Sequence, residues 1–233
     1  MSDKDFGVGS AVIDAIDARQ SREQVARALE KRLAALAALP EDVPAAEKAK
    51  LLLDIAEGEL ELTQNEAAWD HAREAFDLAL ADEAWQLAAE AADLLYRTEQ
   101  PASIIALANG IWLAVAFPVD PEVSYTLLSH FVDETPPDSD GAAVAAMLAH
   151  YLAELRAPED QYENITFLTN NLVGQVAQRH GKVKSQPELE LWIERLQLGD
   201  EQLLLKRMAR ILDVISEGQW WYDRDELRAK MPQ

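Results

Sequence analysis

Apolar residues recur at intervals of three and four along most of the chain, which is the period of an α-helix with one buried side. No run of alternating β-branched residues and no hairpin turn dipeptide is present, so the sequence predicts no strands. Proline and turn residues interrupt the helical pattern at short intervals. The predicted helices span residues 9–18, 21–39, 44–63, 65–81, 83–97, 102–116, 121–133, 140–155, 159–179, 187–197, 200–217 and 223–230. Short connections between them make consecutive helices antiparallel neighbours in an all-α fold.

Residues 65–80 show the division into two sides most clearly. The apolar side carries Trp69, Ala72, Phe76, Ala79 and Leu80. The other side carries Glu66, Asp70, Arg73, Glu74 and Asp77. The next predicted helix repeats this division, with Glu83, Glu90 and Asp93 on its polar side. We therefore expect both helices to pack through their apolar sides and to present carboxylates outward.

The spacing of Ala72, Phe76 and Ala79, after a helix that contains Ala56 and Gly58, resembles the second-helix signature of the tetratricopeptide repeat. That unit is a helix-turn-helix of about 34 residues. The resemblance covers about residues 53–116. It implies antiparallel helical hairpins stacked as a tetratricopeptide-like array, which in that family usually holds another protein; an irregular helical bundle is the alternative fold.

Charge divides the chain into regions. Residues 53–163 hold 23 acidic and 3 basic residues and so carry −20 of the net charge of −21. We predict a hairpin array over residues 1–185 with this acidic middle, followed by a C-terminal helical capping or dimerisation segment of the same domain at 186–233. Lys206, Arg207 and Arg210 in that segment are expected to meet acids of the middle.

The most apolar stretch, Ile104 to Phe117, is 14 residues long, whereas a membrane-spanning helix needs about 20. It is therefore predicted to be a buried core helix. A helix that is apolar on all sides must be covered on all sides, either by this chain or by a partner. The first twelve residues place acids where a signal peptide needs basic residues, so we expect a cytoplasmic protein with no membrane association.

Motifs for catalysis and for cofactor or metal binding are lacking. There is no cysteine, no phosphate-binding loop, no GxSxG and no HExxH. None of the four histidines follows a glutamate by three residues, so no cofactor, metal site or catalytic residue is predicted. His71 with Glu74, and His150 with Glu154, are pairs one helical turn apart that are usually ordinary surface pairs.

Three adjacent aromatic residues, Trp220, Trp221 and Tyr222, admit two interpretations. They precede a capping-box-like pair, Asp223 and Glu226, and would then fasten the last helix to the body. Alternatively, they form a binding hot spot, since tryptophan and tyrosine are enriched there.

The leading functional hypothesis is a non-enzymatic protein–protein interaction module that presents an acidic helical surface to a basic protein partner. Direct nucleic-acid binding is not expected at this surface, because phosphates would be repelled. In this hypothesis the C-terminal segment closes the fold or joins two copies in a homodimer. The alternatives are an acidic regulator that imitates nucleic acid, an enzyme with two carboxylates in an apolar cleft, and an acidity that serves only solubility. The predicted partner-binding residues are Glu66, Asp70, Glu74, Asp77, Glu83, Glu90, Asp93, Trp220, Trp221 and Tyr222.

Overall fold

The computed structural model describes residues 6–230, with side chains described from residue 19 onwards. Residues 1–5 of the predicted hairpin array and residues 231–233 of the predicted C-terminal segment lie outside the described residues. Residues 6–230 are all-α, as predicted, and contain no strand. The helices are α1 (Phe6–Ala37), α2 (Ala45–Glu61), α3 (Asn65–Ala81), α4 (Trp85–Arg97), α5 (Ser103–Ala116), α6 (Pro121–Asp133), α7 (Asp140–Arg156), α8 (Tyr162–Gly181), α9 (Gln186–Arg195), α10 (Glu201–Ile215) and α11 (Arg224–Arg228).

The break predicted between residues 18 and 21 is wrong, and the other predicted helix ends lie within three residues of the observed ones. The sequence pattern suggested two helices at 9–18 and 21–39, whereas the structure has the single helix α1. Residues 19–21 contain neither proline nor glycine, so nothing there forces a break. Arg19 also pairs with Glu23 at 3.0 Å, and a pair four residues apart favours a continuous helix.

Consecutive helices pack against each other and form two layers. Helix α4 contacts α2 and α6, and α6 also contacts α8, so these four helices form the first layer. Helices α3, α5 and α7 each pack against their neighbours in sequence, and we call them the second layer. Ala72, Phe76 and Ala79 of α3 are fully buried in the core between the layers. The predicted inner side of this helix is therefore confirmed.

The C-terminal segment packs on the second layer. Helix α10 contacts both α5 and α7. Residues 219–222, which we call the aromatic strap, reach α3 and α5. The Trp221 ring lies 5.2 Å from the Phe76 ring of α3, and the Tyr222 ring lies 5.3 Å from the Trp112 ring of α5. The apolar helix α5 is thus covered by this chain, and its prediction as a core helix is confirmed.

A buried asparagine fixes the aromatic strap to α5. The Asn109 amide nitrogen donates to the carbonyls of Ile105 at 2.8 Å and Gln219 at 3.3 Å. Its side-chain oxygen accepts from the Trp221 N–H at 3.0 Å. The backbone carbonyl of Asn109 accepts from the Tyr222 hydroxyl at 2.7 Å. Because the Asn109 side chain is fully buried, these bonds satisfy polar groups that would otherwise cost free energy in the core.

Candidate functional site

The structure divides the seven predicted partner-binding acids between the two layers. The acids of α3 are exposed, as predicted, and Glu83 is exposed in the α3–α4 connection. Glu90 and Asp93 of α4 are half-buried instead, because α2 and α6 flank α4 on that side. The acids of α3 and those of α4 therefore belong to different surfaces.

Several acids on the α3 side have basic partners. Glu74 pairs with Lys48 at 2.6 Å, and Asp77 pairs with Arg73 at 3.0 Å. Glu83 pairs at 2.6 Å with Lys230 of the C-terminal segment. Within residues 19–230, neither Glu66 nor Asp70 takes part in an ion pair. Such exposed pairs contribute little stability, but they reduce the charge that this side offers to a partner.

The acids of α4 line a groove that crosses the first layer, which we call the acidic groove. Its volume is about 300 Å³. Side chains of three helices line it: Leu53, Asp54 and Glu57 of α2, Glu90, Asp93 and Leu94 of α4, and Val123 and Thr126 of α6. The arrangement combines four carboxylates with three aliphatic side chains. It is suited to a group that is both cationic and partly apolar.

An arginine of the chain itself already binds carboxylates at the edge of the acidic groove. The two terminal guanidinium nitrogens of Arg97 donate to the two oxygens of Glu57 at 3.0 and 2.9 Å. One of them also lies 3.5 Å from Asp93. The hydrogen bond with Glu57 raises the pKa of Arg97 above its ordinary value, against the opposing effect of burial. Asp93 is contacted as well by His130 of α6, at 2.9 Å.

The three basic residues of the acidic middle all have internal roles. Arg73 lies 3.9 Å above the Trp221 ring, and Arg97 binds Glu57. Arg156 donates to the carbonyls of Ala114 and Val115, at 2.6 and 2.8 Å, at the C-terminal end of α5. These arginines therefore act within the fold.

The predicted aromatic residues lie on the other side of the molecule from the acidic groove. Trp221 and Tyr222 pack in the aromatic strap against the second layer. Trp220 lies under Arg224 at 3.9 Å. The Asp223 side chain accepts from the N–H groups of Asp225 and Glu226, which caps α11. This geometry favours the interpretation in which the aromatics fasten the last helix to the body.

The histidines contact acids or hydroxyls of their own or of neighbouring helices. His71 is 2.8 Å from Glu59, a buried residue of α2, and not paired with Glu74. His150 lies 3.5 Å from Glu154 and 3.0 Å from the Thr169 hydroxyl. Among the described residues, no group of three or more possible metal ligands converges. None of the described helices combines the length and the apolar character needed to cross a membrane.

A second cavity, of about 610 Å³, lies between α5, α6 and α10. Its lining is mainly apolar, including Leu107, Phe131 and Ile211, with Arg210 at one side. Among the described residues that line it, Glu134 supplies the one carboxylate, and this group accepts from the Tyr96 hydroxyl at 2.7 Å. The cavity therefore does not present the pair of acids that the enzyme hypothesis requires.

Sequence reasoning identified only two of the eight residues that line the acidic groove, Glu90 and Asp93, and missed the other six, including the carboxylates of Asp54 and Glu57. The signal was present: Leu53, Asp54 and Glu57 place an apolar residue beside two acids three residues apart. What the sequence did not provide was the packing of α2 and α6 on either side of α4.

No known protein family matches the chain, and neither the curated proteins nor the solved structures contain a match.

Proposed function

We propose that this protein is a non-enzymatic interaction module whose acidic groove binds a basic segment of a protein partner. The observation that carries the proposal is the convergence of Asp54, Glu57, Glu90 and Asp93 around an aliphatic floor. Lysine and arginine side chains combine a charged head with an apolar stem, so they match both parts of such a lining.

The contact between Arg97 and the acidic groove supports arginine as the preferred ligand group. A guanidinium can donate two parallel hydrogen bonds to one carboxylate, as Arg97 does to Glu57. Asp54 and Glu90, further along the groove, add two more carboxylates. Asp54 lies 3.9 Å from Arg32, and one oxygen of Glu90 accepts from the Gln86 amide at 2.7 Å. An arginine or lysine of the partner would bind between Asp54 and Glu90, with an adjacent aliphatic residue on Leu53 and Leu94.

We also infer that the hairpins are a tetratricopeptide-like array. The burial of Ala72, Phe76 and Ala79 at the spacing of that signature supports this inference. The packing of α2, α4 and α6 side by side supports it further, because it gives the first layer a continuous surface. The acidic middle would steer a basic partner toward this surface and raise the association rate more than the final affinity.

The test uses an array of short peptides that vary independently in their basic and aliphatic residues. Peptides that combine both are expected to bind best, and a labelled form of the best one is then titrated by fluorescence anisotropy. The groove variant Asp54→Asn with Glu90→Gln should weaken this binding by about a hundredfold, since each of the two lost charge-assisted hydrogen bonds contributes at least about 1.5 kcal/mol. Raising the salt concentration should weaken the wild-type complex.

The matched control is Glu66→Gln with Asp70→Asn on α3. It also removes two negative charges from the chain, but these two lie outside the acidic groove. Unspecific attraction to an acidic protein would make both variants lose affinity equally. That result would overturn the groove as the binding site, and circular dichroism of both variants shows whether the fold is retained.

A further inference from the structure

Helix α8 has an exposed side without charge. From Asn164 to Gln178 the sequence contains no acidic or basic residue, although 27% of the whole chain is charged. The exposed residues in this stretch are Asn164, Phe167, Asn170, Asn171, Gly174, Gln175 and Gln178. Phe167 is 64% exposed, which leaves a large apolar side chain in water.

The neutral side of α8 is the surface on which this protein can best approach another copy of itself. The net charge of −21 makes two copies repel each other, and most strongly where their acidic middles face. Residues 164–178 themselves offer a basic partner no carboxylate, and the groove that Asn171 and Gln175 line contains one, Asp133 of α6, together with the guanidinium of Arg179. A second copy offers the same amides and the same phenylalanine, so it is the occupant that this surface fits.

The order of residues on α8 is self-complementary under a two-fold axis. Phe167 and Gly174 are seven residues apart, about two helical turns, and so lie on one side of the helix. A Cβ added at Gly174 would meet no atom within 4 Å, so the backbone there is open to a close neighbour. A two-fold axis between Asn170 and Asn171 places the Phe167 ring of each copy on Gly174 of the other. The amides of Asn170 and Asn171 then face each other at the axis.

We propose that the protein forms a homodimer through antiparallel contact of α8 with α8. Phe167 of each copy is the central apolar residue of this contact and packs on Gly174 of the other copy. The acidic groove plays no part in this contact. Dimerisation and partner binding therefore depend on salt in opposite directions: screening strengthens the contact between two acidic copies and weakens the attraction of a basic segment.

The first test is sedimentation equilibrium of the wild-type chain at low and at moderate salt. We expect a reversible dimer whose dissociation constant falls as salt is added. Phe167→Asn should raise that constant by about tenfold or more, as loss of a central aromatic anchor does in other interfaces. Leu191→Asn on α9, where the leucine is 66% exposed, is the matched control and should leave the constant unchanged.

The second test determines orientation and uses the absence of cysteine from the chain. In the proposed dimer, the two copies of Asn171 lie beside the axis, whereas the two copies of Asn164 are about 20 Å apart along the helices. Mild oxidation should therefore cross-link Asn171→Cys and leave Asn164→Cys uncrosslinked, since a disulfide needs Cα atoms within about 7 Å.

Three results would overturn the dimer. The first is a wild-type chain that sediments as a monomer at every salt concentration. The second is a folded Phe167→Asn variant that dimerises as well as the wild type, and the third is equal cross-linking of both cysteine variants. None of these results bears on the peptide binding of the acidic groove, so failure of one proposal is distinguishable from failure of the other.

Discussion

At the scale of single residues, Gly110 sets how closely α4 and α5 approach. A Cβ at this position would lie 2.5 Å from the Ala92 Cβ and 3.3 Å from a methyl group of Leu127. Glycine within a helix costs about 1 kcal/mol relative to alanine, so its presence in the core helix α5 needs a reason. The close approach of Ala92 provides that reason.

Substituting Gly110→Ala should lower the free energy of unfolding by about 1–3 kcal/mol, the usual cost of overpacking a core. Gly58→Ala in α2 is the matched control, because its Cβ would make ordinary contacts of 3.7 Å and longer with Leu29 and Arg32. That variant should be more stable than the wild type by about 0.5–1 kcal/mol. Urea unfolding measures both, and a shift of both in the same direction would contradict the assignment of the close approach to Gly110.

The need of Asn109 for hydrogen-bond partners could be predicted from the sequence, but the identity of those partners could not. An asparagine within an apolar stretch was visible, and its burial requires hydrogen-bond partners. The partners, residues 219, 221 and 222, lie at least 110 positions further along the chain. No local pattern connects the two regions, so the role of Asn109 emerged only from the structure.

At the scale of elements, the aromatic strap connects α3, α5 and α11. The Tyr222 hydroxyl is buried at the centre of this contact and donates to the Asn109 carbonyl. Burial raises the pKa of Tyr222 well above its ordinary value. In the unfolded chain the same hydroxyl ionises near about pH 10. The contribution of Tyr222 to stability is thus fully present below that pH and decreases above it.

Removing the Tyr222 hydroxyl should therefore change how the free energy of unfolding depends on pH under alkaline conditions. Tyr222→Phe should be less stable at neutral pH by about 1 kcal/mol, the net contribution of one hydrogen bond. Above about pH 10 the free energy of unfolding of the variant should fall with pH less steeply than that of the wild type. The two slopes should differ by about 1.4 kcal/mol per pH unit. Burial also raises the pKa of Tyr96, so some alkaline slope should remain in the variant. Parallel curves above pH 10 would show that the Tyr222 hydroxyl is accessible to water.

Helices were predictable where the apolar side is continuous and turn residues stand at both ends. The predicted span 65–81 is the span of α3 in the structure. The break predicted within α1 was wrong, and no proline or glycine stands at residues 19–21 to end a helix there. The acidic groove was only partly predictable, since its three helices are neighbours through packing and not through sequence.

At the scale of the whole molecule, acidity is concentrated in the middle of the chain, and its three arginines are used within the fold. Mutual repulsion of these acids opposes the compact state, and salt screens that repulsion. Exposed ion pairs respond in the opposite direction, but each of them contributes little. The net effect of salt should follow the repulsion.

Thermal unfolding should therefore move to higher temperature as sodium chloride is added. A gain of about 1 kcal/mol would raise the midpoint by about 2–4 °C for a chain of this size. The double variant Glu66→Gln and Asp70→Asn should show a weaker dependence on salt, because two repelling charges are gone. A midpoint that falls with salt would mean that ion pairs such as that of Glu74 with Lys48 outweigh the repulsion.

The position of the aromatic strap also affects how the protein folds during its synthesis. Helices α3 and α5 leave the ribosome more than a hundred residues before residues 219–222. Until then, Phe76 lacks Trp221, Trp112 lacks Tyr222, and Asn109 lacks three of its hydrogen bonds. Contacts so distant in sequence form late, and exposed apolar surface favours aggregation in the meantime. The nascent chain therefore carries an uncovered second layer for much of its translation, and this is the interval in which chaperones would bind it.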